Sequence, residues 1–201
     1  MLRVGLTGGL ASGKSFVGEA LAALGCHLLK ADELGHDVLQ PGGPAYQGVV
    51  DAFGPGILDE HGFIVRRRLG SLVFHHPAKL ALLNALVHPA VIAREEQWMR
   101  EVEAADPAGI AVVEAAILVE TGSHLRFQKL VVAVCSPEQQ IERAMKRDGL
   151  SRQEVLHRLE RQMPLEQKRN FADYVIDTSG PKAETLAQVR RLYHQLRRLT
   201  L

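Results

Sequence analysis

Apolar residues fall into two kinds of run along this chain. Short, nearly unbroken runs occupy residues 2–7, 26–31, 110–115, 130–134 and 172–177. Runs of that length and continuity suit strands buried on both faces of a sheet. Between them, apolar positions recur every three or four residues, the spacing of a helix with one packed face. That spacing predicts helices over 15–24, 33–40, 45–53, 67–74, 78–86, 89–104, 151–163 and 184–199. One more helix is opened by Ser136 and Pro137 in the favoured N-cap and first-turn order, and ended by Gly149. Gly25 stops the first helix, and Ser151 with Glu154 makes a capping-box pattern. Strand and helix alternate, so the fold class is α/β with a parallel sheet of five strands flanked by helices. In such a sheet, functional groups gather at the carboxyl ends of the strands.

The first strand runs into Gly8-Gly9-Leu10-Ala11-Ser12-Gly13-Lys14-Ser15. This stretch fits G-x-x-x-x-G-K-[ST] between a strand and a helix, the context of a phosphate-binding loop. Glycines let backbone N–H groups approach phosphate oxygens, and the following helix presents its positive end to the same anion. Lys14 can reach the β- and γ-phosphates, and the Ser15 hydroxyl can ligate Mg²⁺.

Other positions gather around that loop in the reading. Asp32 follows the second strand, either as a helix N-cap or as a carboxylate facing the γ-phosphate pocket. Lys30-Ala31-Asp32 is not the guanine-specifying N-K-x-D, because Leu29 stands where Asn is needed and the motif lies too near the loop. The long excursion between the second and third strands, about residues 41–106, has the place of an acceptor-binding insert in a nucleotide kinase. It holds Arg66-Arg67-Arg68, either a solvated helix start or a phosphate grip. His88-Pro89 separates two of its helices, as a cap or as a substrate contact. Glu114, near the end of the third strand, suits Mg²⁺ held through water. Glu120 caps, pairs with an arginine or touches substrate. Arg143 and Arg147 share one helix face, and Arg158 and Arg161 sit on the next helix. Behind a phosphate loop, this arginine-rich stretch of about residues 138–169 reads as a lid.

Composition narrows the field. The chain has 201 residues, 24 Lys and Arg against 23 Asp and Glu, for a net charge of +1. The length suits a single α/β domain with inserted subdomains, spanning 1–201. The balance of charge points to neither nucleic acid nor membrane as a partner. No apolar run reaches membrane-spanning length, and the N-terminus lacks a secretory pattern. Cys26 and Cys135 lack metal-ligand spacing and read as buried thiols, which suits a cytoplasmic location.

In order along the chain, Gly5-Leu6-Thr7-Gly8-Gly9 with Ser12-Gly13-Lys14-Ser15, Ala31-Asp32, Phe53-Gly54, Gly62, Arg66, Leu69 and Phe74 form one pattern. Leu83-Asn84, His88-Pro89, Leu118, Glu120, Gln140, Arg143, Arg147-Asp148-Gly149, Arg158, Gln162 and residues 172–177 continue it. This pattern resembles the dephospho-CoA kinase family. The resemblance implies a P-loop kinase fold with a helical substrate-binding insert and a helical lid. It implies transfer of a phosphoryl group from ATP, with Mg²⁺, to the ribose 3′-hydroxyl of dephospho-CoA. On it, Gly8, Ala11, Ser12, Gly13, Lys14, Ser15, Phe16 and Arg158 would hold ATP, and Asp32 would be the base. Arg143 and Arg147 would be lid arginines acting with Lys14, and Asp32, Arg66, His88 and Glu120 would meet the acceptor. Lys30 and Val65 stand where the family usually has Asp. Glu114, Ala116 and Val119 stand for its Asp, Pro and Phe, and Thr178 often for its Asn. Two other readings fit the loop alone: a P-loop kinase for a nucleoside monophosphate or a sugar acid, and a non-catalytic nucleotide-binding module.

Overall fold

β1 (Leu2–Gly8) is the central strand of a five-stranded parallel sheet. The computed structural model describes residues 1–74 and 76–200. Beside β1 lie β3 (Ile110–Glu114) and β4 (Lys129–Val134), with β2 (His27–Lys30) and β5 (Tyr174–Asp177) at the edges. The order is β2-β3-β1-β4-β5. Leu6 is level with Glu114, Glu114 with Lys30, Gly8 with Ala133, and Val134 with Asp177. The carboxyl ends therefore share one edge. β3 is buried throughout and β1 nearly so, as their unbroken apolar runs predict.

The described residues form two compact units, Met1–Lys30 with Met99–Leu201, and Ala31–Trp98. In the first, α1 (Lys14–Ala23) and the closing helix, Lys182–Arg197, pack on the sheet. Val17 and Leu21 of α1 meet Leu2, Val4, Leu6, Val112, Val189, Leu192 and Leu196 in one core. At about 25 cal/mol per Å² of apolar surface removed from water, such a core is the main stabilising term of the unit.

In the second unit, α2 (Ala31–Asp37), α3 (Tyr46–Phe53) and α4 (Arg66–Phe74) precede α5 (Pro77–Ala105), which continues into the first unit. Its core is smaller, with Val49, Ile57, Leu69 and Val73 buried among Phe53, Leu83, Leu86 and Val87. Three expectations are corrected in these helices and the next. First, 78–86 and 89–104 are not two helices separated at His88-Pro89. Pro89 lies inside the single 29-residue α5. A proline removes one backbone hydrogen bond and disfavours helix at the residue before it, a cost of about 3 kcal/mol. Leu83, Leu86 and Val87, on the turns just before it, are packed into the core and offset that cost. Second, α2 begins at Ala31, so Asp32 lies in its first turn and is not its N-cap.

The third correction concerns the helix expected over 151–163. α6 (Pro137–Asp148) ends at Gly149 with φ 67°, and Ser136 and Gln139 form its capping box. α7 (Arg152–Leu159) opens on the Ser151–Glu154 capping box but stops early. Pro164 disfavours helix at Met163, and the Met163 amide donates to Glu120 at 3.0 Å. α8 (Leu165–Arg169) follows, and the closing helix is α9.

Candidate active site

The loop after β1 folds back on itself. Its backbone is left-handed at Ala11, φ 52°, and at Gly13, φ 87°. Non-glycine residues adopt that region at a cost of about 1–2 kcal/mol, so Ala11 is held there by its surroundings. Gly8 has no alternative residue, because a Cβ there would lie 2.2 Å from Ser12 Oγ. Gly13 opens α1 without any side-chain cap. With glycine at the N-cap, no capping side chain stands in front of the start of α1, the arrangement that receives an anion at a helix N-terminus.

Around those amides stand the charged groups. Ser15 Oγ donates to Glu114 Oε1 at 2.6 Å, and Lys14 Nζ lies 3.8 Å from the same oxygen. Glu114 is buried, and its Oε2 has no hydrogen-bond partner among the described residues. Gly9, residues 11–16, Arg143 and Arg147 line a cavity of about 250 Å³. Lysine, two arginines and a helix N-terminus face one small space, and Glu114 and Asp148 offset only part of that positive charge. Phe16, at the end of the loop, carries Lys182 over its ring at 5.5 Å.

The two arginines expected on a lid, Arg143 and Arg147, differ. Arg143 donates to Thr178 Oγ1 at 3.1 Å and to the Thr178 carbonyl at 2.7 Å. Thr178 Oγ1 in turn donates to the Ser12 carbonyl at 2.7 Å. Arg147 forms a two-pronged pair with Asp148 at 2.7 and 2.9 Å, and this pair holds the Asp148 carboxyl below its ordinary range. Arg158, expected on ATP, lies 3.7 Å from Asp148 and is half exposed.

Other predicted residues sit elsewhere. Glu120 pairs with Lys168 at 2.8 Å rather than with an arginine. Lys30, which stands where an acid is usual, pairs with Glu19 of α1 at 3.0 Å. In the second unit, Asp32 lies on α2 and Arg66 begins α4, both exposed. Partial burial lowers the Arg66 pKa from its usual value. His88 is half-buried inside α5, and that burial lowers its imidazole pKa. Sequence reasoning gave no role to Gln140, Gln162, Thr178 or Lys168, which hold the loop from outside. Gln140 Nε2 donates to the Leu10 carbonyl at 2.7 Å, and the Leu10 amide donates to Gln162 Oε1 at 2.8 Å. One signal was available: Leu165 and Lys168 are three residues apart, so a buried Leu165 puts the lysine on the packed face.

A glycine-rich turn between β1 and α1, a lysine and serine at the helix start, an acid ending the adjacent strand, and arginines across the cavity define the P-loop kinase class. The family model for dephospho-CoA kinase matches residues 2–184. A dephospho-CoA kinase of Aquifex aeolicus is 40% identical over 198 residues, covering 98% of this chain and 99% of its own. One from Syntrophus aciditrophicus is 39% identical, covering 98% of this chain and 83% of its own. Among solved structures, a Thermus thermophilus protein superposes with a TM-score of 0.83 at 30% identity, covering 97% of both chains. The dephospho-CoA kinase of Campylobacter jejuni shares the fold, with a TM-score of 0.64 at 23% identity over 96% of each chain. The chain belongs to the dephospho-CoA kinase family.

Proposed function

We propose that the loop Gly8–Ser15 holds the phosphates of ATP while Asp32 receives the proton of the acceptor hydroxyl. The reaction is the family's, ATP-dependent phosphorylation of the 3′-hydroxyl of dephospho-CoA, which gives coenzyme A and ADP. The observation that carries the loop assignment is the uncapped start of α1 facing the same cavity as Lys14, Arg143 and Arg147. In the loose transition state of phosphoryl transfer, charge grows on the bridging and equatorial oxygens. Backbone amides of the loop and the Lys14 ammonium are donors fixed in advance for that charge. Arg143, held by Thr178, and Arg147 supply further positive charge from the lid, residues 138–169. Arg158 serves ATP from α7.

Ser15 and Glu114 fit a hard divalent cation. Their donors are all oxygen, and the one unpartnered carboxylate oxygen of Glu114 is buried beside them. Mg²⁺, when bound, neutralises phosphate charge; Ser15 Oγ would ligate it and Glu114 would hold it through water. Asp32 lies two residues beyond the end of β2. A carboxylate accepts the ribose hydroxyl's hydrogen bond, aims the oxygen and takes the proton late in transfer. Residues 41–106 are read as the acceptor-binding insert, with Arg66 on a phosphate of dephospho-CoA and His88 also on the acceptor side. Glu120, now paired with Lys168, would reach the acceptor only at its second oxygen. No described helix is long and apolar enough to cross a membrane. Free Cys26 and Cys135 support a cytoplasmic setting.

Asp32→Asn tests the base. Turnover should fall by about 10²- to 10⁴-fold, the range for a positioned acid–base group. ATP affinity and melting temperature should stay near those of the parent, since the exposed amide keeps the shape of the acid. Unchanged turnover in a folded variant contradicts the role.

A further inference from the structure

Lys168 is the largest of the fully buried side chains, and the phosphoryl-transfer scheme above makes no use of it. Its ammonium has three N–H donors, and each has an oxygen within reach. They are the Ala116 carbonyl at 2.6 Å, Glu120 Oε1 at 2.8 Å and the Gly8 carbonyl at 3.3 Å. Gly8 opens the phosphate loop, and Ala116 lies two residues past the end of β3. Thr7 Oγ1 also donates to the Ala116 carbonyl, at 3.2 Å. Glu120 Oε1 also accepts the Met163 amide, at 3.0 Å. A single ammonium on α8 therefore joins the start of the loop, the exit of β3 and Glu120, and Glu120 in turn holds the chain between α7 and α8.

An ammonium this deeply buried is costly. Burial lowers the Lys168 pKa from its usual value, with Glu120 opposing and the Lys14 charge adding. A methionine would fill the same volume without that cost. What a methionine cannot do is hold two backbone carbonyls. The Gly8 carbonyl must point away from the phosphates if the loop amides are to point at them. The loop is also strained at Ala11, and strain persists only where surrounding contacts over-determine the backbone. Gln140 and Gln162 fix the loop at Leu10, Thr178 fixes it at Ser12, and Lys168 fixes it at Gly8.

We infer that Lys168 is a positioning residue for phosphoryl transfer, holding the Gly8 and Ala116 carbonyls against the α7–α8 segment so that the loop amides stay aimed at ATP. The inference rests on the reading of Gly8–Ser15 as the phosphate site. It is tested with Lys168→Met and with the double variant Lys168→Met/Glu120→Gln. In the single variant, Glu120 loses its partner and two carbonyls lose a donor, so melting temperature falls. The Michaelis constant for ATP should rise about tenfold and kcat should fall about tenfold, a combined loss of about a hundredfold in kcat/KM. The constant for dephospho-CoA should stay within about twofold, because a loop defect acts on the donor substrate. The double variant removes the stranded charge and should regain most of the lost melting temperature, while the ATP constant stays raised; the ATP constant is the readout there, because Glu120 is itself assigned to the acceptor. Recovery of both stability and kinetics would overturn the inference, showing the pair to be structural only. So would parent-like kinetics in the single variant, or failure of both variants to fold. Lys14→Ala, assayed beside them, separates the two readings. If Lys14→Ala is impaired and Lys168→Met is not, the positioning role alone fails. If Lys14→Ala is active, the phosphate-site reading itself fails.

Discussion

Around the phosphate loop, hydrogen bonds join residues 130, 152, 160 and 166 positions apart in the chain. Among those described within Ala31–Trp98 the spans are shorter: Asp59 accepts from His61 and Phe63, two and four residues on, Gln47 donates to Asp51, four residues on, and Tyr46 donates to the Gly62 carbonyl, 16 residues on. The first region takes its shape from the whole unit and holds a strained backbone. The second is built from local turns around a small core. The difference matches the two tasks proposed above. Stabilising a transition state requires donors fixed before the reaction. Binding a long, jointed acceptor requires only contacts of adequate strength, and regions with few buried contacts open more readily.

If this contrast is real, substitutions in the two regions should separate kinetically. The largest effect belongs to the loop. Lys14→Ala should lose roughly 10²-fold or more in turnover, as for deletion of one preorganised donor. The check is kcat in a variant whose melting temperature is unchanged. A smaller effect belongs to the second unit. Arg66→Ala should raise the Michaelis constant for dephospho-CoA about tenfold, one charge-assisted hydrogen bond to phosphate. The constant for ATP should hardly move. A shift in the ATP constant instead would place Arg66 with the donor and erase the separation.

The smallest effect concerns stability at the Arg147–Asp148 pair. The Arg147 guanidinium holds the Asp148 carboxyl below its usual pKa. The folded state therefore binds this proton less readily than the unfolded chain. The pair's contribution is present above the unfolded value near 4 and is lost as pH falls through the depressed folded value. The pair is near the surface, so the contribution should be about 1 kcal/mol or less. Urea unfolding of the parent and of Asp148→Asn should differ by that amount at pH 7 and converge in acid.

What the sequence made legible follows the same division. The Ser151–Glu154 capping box, the Ser136 N-cap, the glycine stops at Gly25 and Gly149, and all five strands were readable, because each depends on residues close together. The loop was readable because its chemistry needs particular residues in one short segment. Pro89 misled, because a local helix signal was overridden by packing of Leu83, Leu86 and Val87. The end of α7 was missed for the same kind of reason, since Gln162 and Met163 bond to Leu10 and Glu120. Thr178 carried no local sign of its work and Lys168 only its spacing from Leu165, because their partners lie far along the chain.

The central claim is that this chain couples ATP cleavage to one acceptor. It is tested most directly by following ADP and coenzyme A together, with purified protein, ATP and Mg²⁺, with and without dephospho-CoA. The account predicts that ADP forms rapidly only when dephospho-CoA is present, one ADP for each coenzyme A. ADP formation at the same rate without dephospho-CoA, or none in its presence, would contradict it.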